Sequence, residues 1–465
     1  MSEPLHIAVV GHTNAGKTSL LRTLTRRADF GEVSDRPGTT RHVEAIDLRI
    51  DDTQGGQRAA VRFYDTPGLE DAVTLLAHVA TLPGDTRPER IRRFLAGPEA
   101  QGVFEQEAKV VRQMLTADAA FLVIDTREAV LPKYRDEVEL LASCARPVMP
   151  VLNFVRDRAS READWRAMLS DAGLHAVVRF DAAAPFTGSE LELFHDLGTL
   201  LPAHRDALRE VAAHLQRESD ARRQAACRVL ATGLVEGAAL RRTVPALRMQ
   251  DAAARAEEVE TLREQMRAHA QRGVSALLAL HGFRHGDATE APLPALQGRE
   301  GVDLFHPDSL RQAGVRLGQG AAVGAAVGAA ADLAVGGLSL GAGTALGSLI
   351  GGTLAQGFGP LGRRLRNAVE GRQDLTAEDA VLYVMADWQL RLLLALERRG
   401  HGAIARTDGS REALPPEAAK ALVRALAAAQ PARSHPDWFA APGDRRVRAS
   451  PAREACIDAV AAHAA

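Results

Sequence analysis

The sequence predicts an α/β fold class: a doubly wound domain over residues 1–202, then a mostly α-helical C-terminal region with a glycine-rich helical hairpin. Three observations carry this. A short apolar run, Leu5 to Val10, ends directly on Gly11-His12-Thr13-Asn14-Ala15-Gly16-Lys17-Thr18, and Ser19-Leu20-Leu21 then opens a helix. The runs Phe121–Asp125 and Val148–Asn153 have strand length without polar alternation, as strands buried on both faces do. From Ala203 the apolar residues recur at helical spacing instead.

The first of these carries the chemistry. G-x-x-x-x-G-K-T between a strand and a helix is the arrangement of a phosphate-binding loop. Gly11 and Gly16 let the backbone turn its N–H groups inward around an anion, with Asn14 and Ala15 on the same turn. The helix opening at Lys17, Thr18 and Ser19 adds its positive end. The Lys17 ammonium suits the β- and γ-phosphates, and the Thr18 hydroxyl suits Mg²⁺.

Bulk composition limits the alternatives. A chain of 465 residues calls for two or three domains, and 46% hydrophobic with 25% charged residues is a globular balance. Lys plus Arg number 57 against 59 Asp plus Glu, so no global basic field calls for nucleic acid. The cysteines Cys144, Cys227 and Cys456 are far apart and offer neither metal-ligand spacing nor a disulfide framework, which fits a reducing cytosol. With the first strand expected within five residues of the start, no signal peptide is expected.

After the first helix comes Arg36-Pro37-Gly38-Thr39-Thr40-Arg41, then an alternating run from Val43 to Ile50, a turn over Asp51–Gln57 and a strand over Ala59–Tyr64. That strand ends on Asp65-Thr66-Pro67-Gly68, a D-x-x-G in which Asp65 suits the Mg²⁺ shell and the Gly68 N–H a γ-phosphate. The phosphate loop, P-G-T-T-R and D-T-P-G, in this order and spacing, resemble the Era/TrmE-type GTPases of the translation-factor-related class. The resemblance covers about the first 200 residues. It implies a six-stranded sheet with its second strand antiparallel, GTP and GDP as ligands with Mg²⁺, and Thr40 as a Mg²⁺ ligand in the GTP state. It also implies GTP hydrolysis, with Lys17, Thr40 and Gly68 around the reacting phosphate. Leu69 stands where a water-orienting glutamine would be, so hydrolysis is expected to be slow. Asn14 matches the loop asparagine that helps bind an activating K⁺ in TrmE-like relatives.

The guanine-reading N-K-x-D motif is expected after Val148–Leu152, where the chain has Asn153-Phe154-Val155-Arg156-Asp157. Asn153 remains to serve the base, while Asp157 falls one residue late. Asp181-Ala182-Ala183 resembles a degenerate S-A-K loop, which assigns the Ala182 N–H to the guanine oxygen. Residues 69–117 form an insertion with a helical patch at Glu89–Leu95, either a lid or partner surface or a passive loop.

Beyond Pro202, amphipathic spacing predicts helices over 203–244 and Met249–Leu280. His281 and His285 are four apart, but Gly282 between them and the lack of a third ligand favour two solvated histidines over a metal site. Leu317–Gly362 holds one charge, Asp332, and 14 glycines in 46 residues. Gly336-Gly337 divides it, and arginines flank it on both sides. This pattern predicts a re-entrant or spanning membrane hairpin with both ends in the cytoplasm, against a tight soluble hairpin as the alternative. The expected divisions are therefore 1–202, 203–316, 317–362 and 363–465, in a protein of the cytoplasm or the cytoplasmic face of the inner membrane. The layout resembles a bacterial family in which such a G domain carries a C-terminal domain of unknown function. It implies a switch with a protein effector; an Era-like RNA or ribosome assembly role, or dynamin-like self-assembly, are the alternatives.

Overall fold

The computed structural model describes residues 3–27, 30, 43–51, 56–182, 185–186, 188–282, 304–320, 338–339, 371–397, 414–439 and 450–464. They fall into two compact units, one built on Met1–Asp220 and one on Ala221–Leu396 with the C-terminal residues.

In the first unit the apolar runs become strands. β1 (Leu5–Val10), β2 (Glu44–Asp51), β3 (Gln57–Asp65), β4 (Ala119–Asp125), β5 (Val148–Asn153) and β6 (Val178–Arg179) form one sheet in the order β2-β3-β1-β4-β5-β6. β2 runs antiparallel to β3 and every other pairing is parallel. Successive residues of a strand face opposite ways. Ala8, Val10, Leu122 and Leu152 accordingly join one core, while Ile7, Val9, Phe121, Val123 and Val151 join the other. Helix α1 (Lys17–Thr25) packs on the second of these faces.

The insertion is neither loop nor a single helical patch. It forms α2 (Ala72–Thr81), α3 (Arg87–Ala96) and α4 (Glu105–Thr116), with Leu75, Ile91, Phe94, Phe104 and Val110 buried in the first core. The sequence hid this because Pro83-Gly84 and Gly97-Pro98 fall between the helices. Thr86 and Glu89 form a reciprocal capping box that starts α3 just after the first of those breaks. Helices α5 (Pro132–Ala142) and α6 (Glu162–Asp171) complete that side, and α7 (Ser189–Leu200) lies on the other.

The helix α8 (Arg205–Ala239) is continuous, and its Leu208, Val211 and Leu215 join the first unit's second core. The second unit contains its remainder, β7 (Arg241–Pro245), a short helix α9 (Ala246–Gln250) and α10 (Ala252–Leu280). There follow α11 (Pro307–Gly320), β8 (Leu338–Ser339), β9 (Arg372–Ala377), α12 (Asp379–Glu397), α13 (Pro416–Ala429) and α14 (Pro451–Ala464). It is mostly helical, as expected, but it also carries a sheet in the order β7-β9-β8 that the helical reading missed. Its centre is close-packed: a Cβ on Gly273 of α10 would lie 2.3 Å from the Gln389 Nε2 of α12. Glu236 is buried and ion-paired to Arg453 at 2.5 Å. The cysteines Cys144, Cys227 and Cys456 are all buried and none is in a disulfide.

Of the glycine-rich stretch, residues 321–337 and 340–362 lie outside the described residues. Leu338 and Ser339 pair with Ala377 and Thr376, so these two residues next to the expected hairpin turn belong to a sheet. Among the described residues no helix is long and apolar enough to cross a membrane.

Candidate functional site

The site gathers at the C-terminal ends of β1, β3 and β5, where an open α/β sheet presents its loops to a ligand. The turn after β1 takes conformations that only certain residues accept. Gly16 has φ 92°, and a Cβ there would lie 2.3 Å from the Asn153 Nδ2. A Cβ on Gly11 would likewise lie 2.4 Å from the Val123 carbonyl oxygen, and Asn14 is exposed with φ 64°. Ala15 is buried, and Ser19 sits half-buried on the first turn of α1.

Lys17 is buried, and its Nζ donates to the carbonyls of Gly11 (3.1 Å) and His12 (2.9 Å). Burial lowers the pKa of this ammonium, and the carboxylates of Asp65 and Glu137 oppose that effect. The Thr18 hydroxyl donates to Asp65 Oδ2 at 2.5 Å. Asp65 is only 1% exposed, and burial pushes its carboxyl up to about 6 against the pull of Thr18 and Lys17. Its Oδ1 is buried and accepts no hydrogen bond among the described residues. An orphaned carboxylate oxygen beside a hydroxyl is a hard oxygen donor set that fits Mg²⁺. Thr18 and Asp65 would hold the ion, which supplies charge neutralisation for bound phosphates.

Thr40 lies outside the described residues. Gly68 is pressed against Thr13, and the Leu69 N–H donates to the Gly11 carbonyl at 3.2 Å. The Leu69 side chain is fully buried in the core beneath, away from solvent. Two N–H groups further on, those of Glu70 and Asp71, meet the buried Glu107 carboxylate of α4 at 3.4 and 3.1 Å.

On the base side, Asn153 is a tie. Its Nδ2 donates to the Ala15 carbonyl at 3.0 Å, while its Oδ1 accepts the N–H groups of Phe154 (3.0 Å) and Ala182 (2.9 Å). The Ala182 N–H, which the sequence assigns to a guanine oxygen, is thus turned to Asn153. Asp157 is exposed, and its Oδ1 accepts the Ala159 N–H at 2.8 Å within its own turn. Phe154 has a positive φ of 57°, and the Arg127 guanidinium stacks on its ring at 3.8 Å.

Several neighbours had no signal in the sequence. His12, Lys133 and Glu137 meet beside the loop although more than a hundred residues separate His12 from the other two. His281 departs from its expected solvated state: it is buried, with its Nδ1 2.9 Å from the Leu277 carbonyl. His285 lies outside the described residues, among which no group of three or more histidines, cysteines and carboxylates is placed to hold a metal ion.

The fold and loop define a P-loop GTPase domain of the bacterial kind. The family described as "50S ribosome-binding GTPase" matches residues 6–154. The family described as "Domain of unknown function (DUF3482)" matches residues 166–462, well over half of the chain, and the chain belongs to it. The GTP-binding protein EngB of Anaeromyxobacter sp. (strain Fw109-5) is 40% identical over 184 residues, 40% of this chain and 74% of that protein. GTPase Der of Xylella fastidiosa (strain M23) is 34% identical over 153 residues, 30% of each chain. The chain spans about half (55%) of the length of the first EngB relatives it matches. A crystal structure of Aquifex aeolicus Era bound to GDP and AlF4⁻ aligns over 39% of this chain and 52% of that one. Its identity is 20% and its TM-score 0.27.

Proposed function

We propose that this chain is a GTP-hydrolysing switch, in which the first unit binds GTP or GDP with Mg²⁺ and the helical second unit carries the output to a protein effector. The observation that supports it most directly is the buried set of Lys17, Thr18 and Asp65, with an Asp65 Oδ1 that has no hydrogen-bond partner among the described residues. Lys17 leaves two carbonyls for the β- and γ-phosphates, and loop N–H groups and the α1 terminus neutralise further charge. Thr40 closes over the γ-phosphate in this reading, and the Gly68 N–H meets it. Hydrolysis is slow because Leu69 orients no water, and Asn14 helps hold a K⁺ near the developing charge. Asn153, Asp157 and Ala182 form the base end of the site.

Calorimetry with GTP and Mg²⁺ tests the reading. Lys17→Ala removes a charge-assisted contact of about 1.5–3 kcal/mol and lowers affinity at least about tenfold. Unchanged affinity in a folded variant makes the loop vestigial.

The finer reading places residues 317–362 at a membrane, on the strength of their single charge and flanking arginines. Carbonate extraction and liposome sedimentation, with and without a GTP analogue, test it against a version lacking 317–362. A second reading follows from the ribosome-binding description of the first domain's family. Co-sedimentation with ribosomes that depends on the GTP analogue, without liposome binding, favours that reading.

A further inference from the structure

His12 is the first residue of the loop after Gly11, and two residues one helical turn apart on α5 hold its ring. Its Nδ1 lies 2.7 Å from Glu137 Oε1, and its Nε2 lies 3.0 Å from Lys133 Nζ. An ammonium has hydrogens to give and no lone pair, so Lys133 donates to Nε2. The ring proton therefore sits on Nδ1 and is donated to the Glu137 carboxylate. Tyr134 closes the set, edge-on to the imidazole with centroids 5.3 Å apart. Glu137 is only 4% exposed, so its charge is desolvated and its hydrogen bond to His12 matters.

The other end of His12 reaches the chemistry. Its carbonyl accepts the Lys17 Nζ at 2.9 Å, and the Glu137 charge acts on Lys17 to favour its ammonium form. Between them Asn14 is held at φ 64°, a left-handed conformation that a side-chain-bearing residue adopts at a cost, while Gly16 takes its φ of 92° freely. The His12 carbonyl that accepts Lys17 Nζ also accepts the Ala15 N–H at 3.3 Å, so the orientation of His12 bears on both the lysine and the turn of the loop. Packing alone does not hold this side of the loop, because a cavity of about 270 Å³ adjoins it, lined by His12, Thr13, Lys133, Tyr134, Glu137 and Trp165.

We propose that Glu137 and Lys133 are positioning residues for the phosphate loop, clamping His12 in one tautomer and orientation so that its carbonyl and Lys17 are preset for an incoming nucleotide phosphate. The inference rests on the nucleotide reading above and adds residues to it that lie outside the loop motif.

The test is titration of the full chain with fluorescent GDP and a non-hydrolysable GTP analogue in Mg²⁺, with thermal melting of each variant alongside. His12→Ala and Glu137→Ala are each expected to weaken both nucleotides about tenfold, the scale of one hydrogen bond to a charged group. The double variant is expected to lose no more than the worse single one, because the two residues act as a unit. Glu137→Gln is expected to recover part of the loss, since its amide oxygen still accepts the Nδ1 proton. Single effects that multiply in the double variant overturn the inference. So does wild-type affinity in Glu137→Ala, or, where that variant does not fold, wild-type affinity in both Glu137→Gln and Lys133→Met. These results leave the nucleotide reading standing wherever Lys17→Ala still loses binding. A wild-type chain that binds neither nucleotide overturns both.

Discussion

Gly68 and Thr13 stand so close that a Cβ on Gly68 would lie 2.2 Å from the Thr13 hydroxyl oxygen and 2.7 Å from its backbone nitrogen. The end of the D-T-P-G turn is therefore seated on the phosphate loop, with the Leu69 N–H bonded to Gly11. Gly68→Ala must lift this turn away, since backbone cannot yield as a side-chain tip does. The expected result is a loss of about 1–3 kcal/mol of stability, as for other overpacking changes. Affinity for a GTP analogue should also fall by more than affinity for GDP. Melting curves and paired titrations measure both, and a variant indistinguishable from wild type in each would show that the turn is mobile enough to make room.

Base selectivity should favour guanine over adenine. Asn153 fixes the loop before Asp157 to Ala15 and Ala182, and leaves the Asp157 carboxylate exposed on the next turn. A carboxylate can accept from the amino and ring N–H groups of guanine, whereas adenine presents an acceptor in the same place. Competition of ATP and GTP against a labelled GTP analogue checks this. Equal displacement would mean that the base is held without being read.

The monovalent cation offers another check. Leu69 is fully buried and offers the attacking water nothing, whereas Asn14 is exposed at the rim of the loop. Hydrolysis should be faster in K⁺ than in Na⁺ at equal ionic strength, and Asn14→Ala should abolish the difference. Equal rates in the two salts for the wild type would transfer the task to a protein activator.

Acid should weaken the second unit through His269. Burial lowers this imidazole from 6.5 to about 4, while its Nε2 is bonded to the Gly233 carbonyl and Arg272 approaches its Nδ1. Between those values the unfolded chain takes up a proton that the folded chain refuses. This residue's contribution is thus intact above about 6.5 and is lost progressively as pH falls toward about 4. Melting temperatures across that window should fall more steeply for the wild type than for His269→Gln, whose amide can still donate to Gly233. Parallel curves would assign the acid sensitivity elsewhere.

The parts of this molecule that were legible in its sequence are those whose signals are local. A strand, two glycines and a lysine within fourteen residues announce the phosphate loop, and the sheet follows from continuous apolar runs. The contacts that organise the site are not local. Asn153 and Ala15 are 138 residues apart, and His12 and Glu137 are 125 apart, so no spacing rule joins them. The β7–β9 pair was hidden for the same reason, compounded by Arg241-Arg242, which reads as a solvated helix face. Helices α2 and α4 were obscured by the proline and glycine breaks around them, although the buried face of α4 has ordinary helical spacing.

The three buried cysteine thiols give the chain a native clock for its own unfolding. Only a thiolate attacks an alkylating reagent, and burial both hides these sulfurs and, at Cys144, pushes the thiol up to about 12. Cys144 belongs to the first unit, and Cys227 and Cys456 belong to the second. A short pulse of reagent followed by peptide mapping therefore resolves which unit opens first, and whether nucleotide slows one clock or both, with no residue of the protein changed.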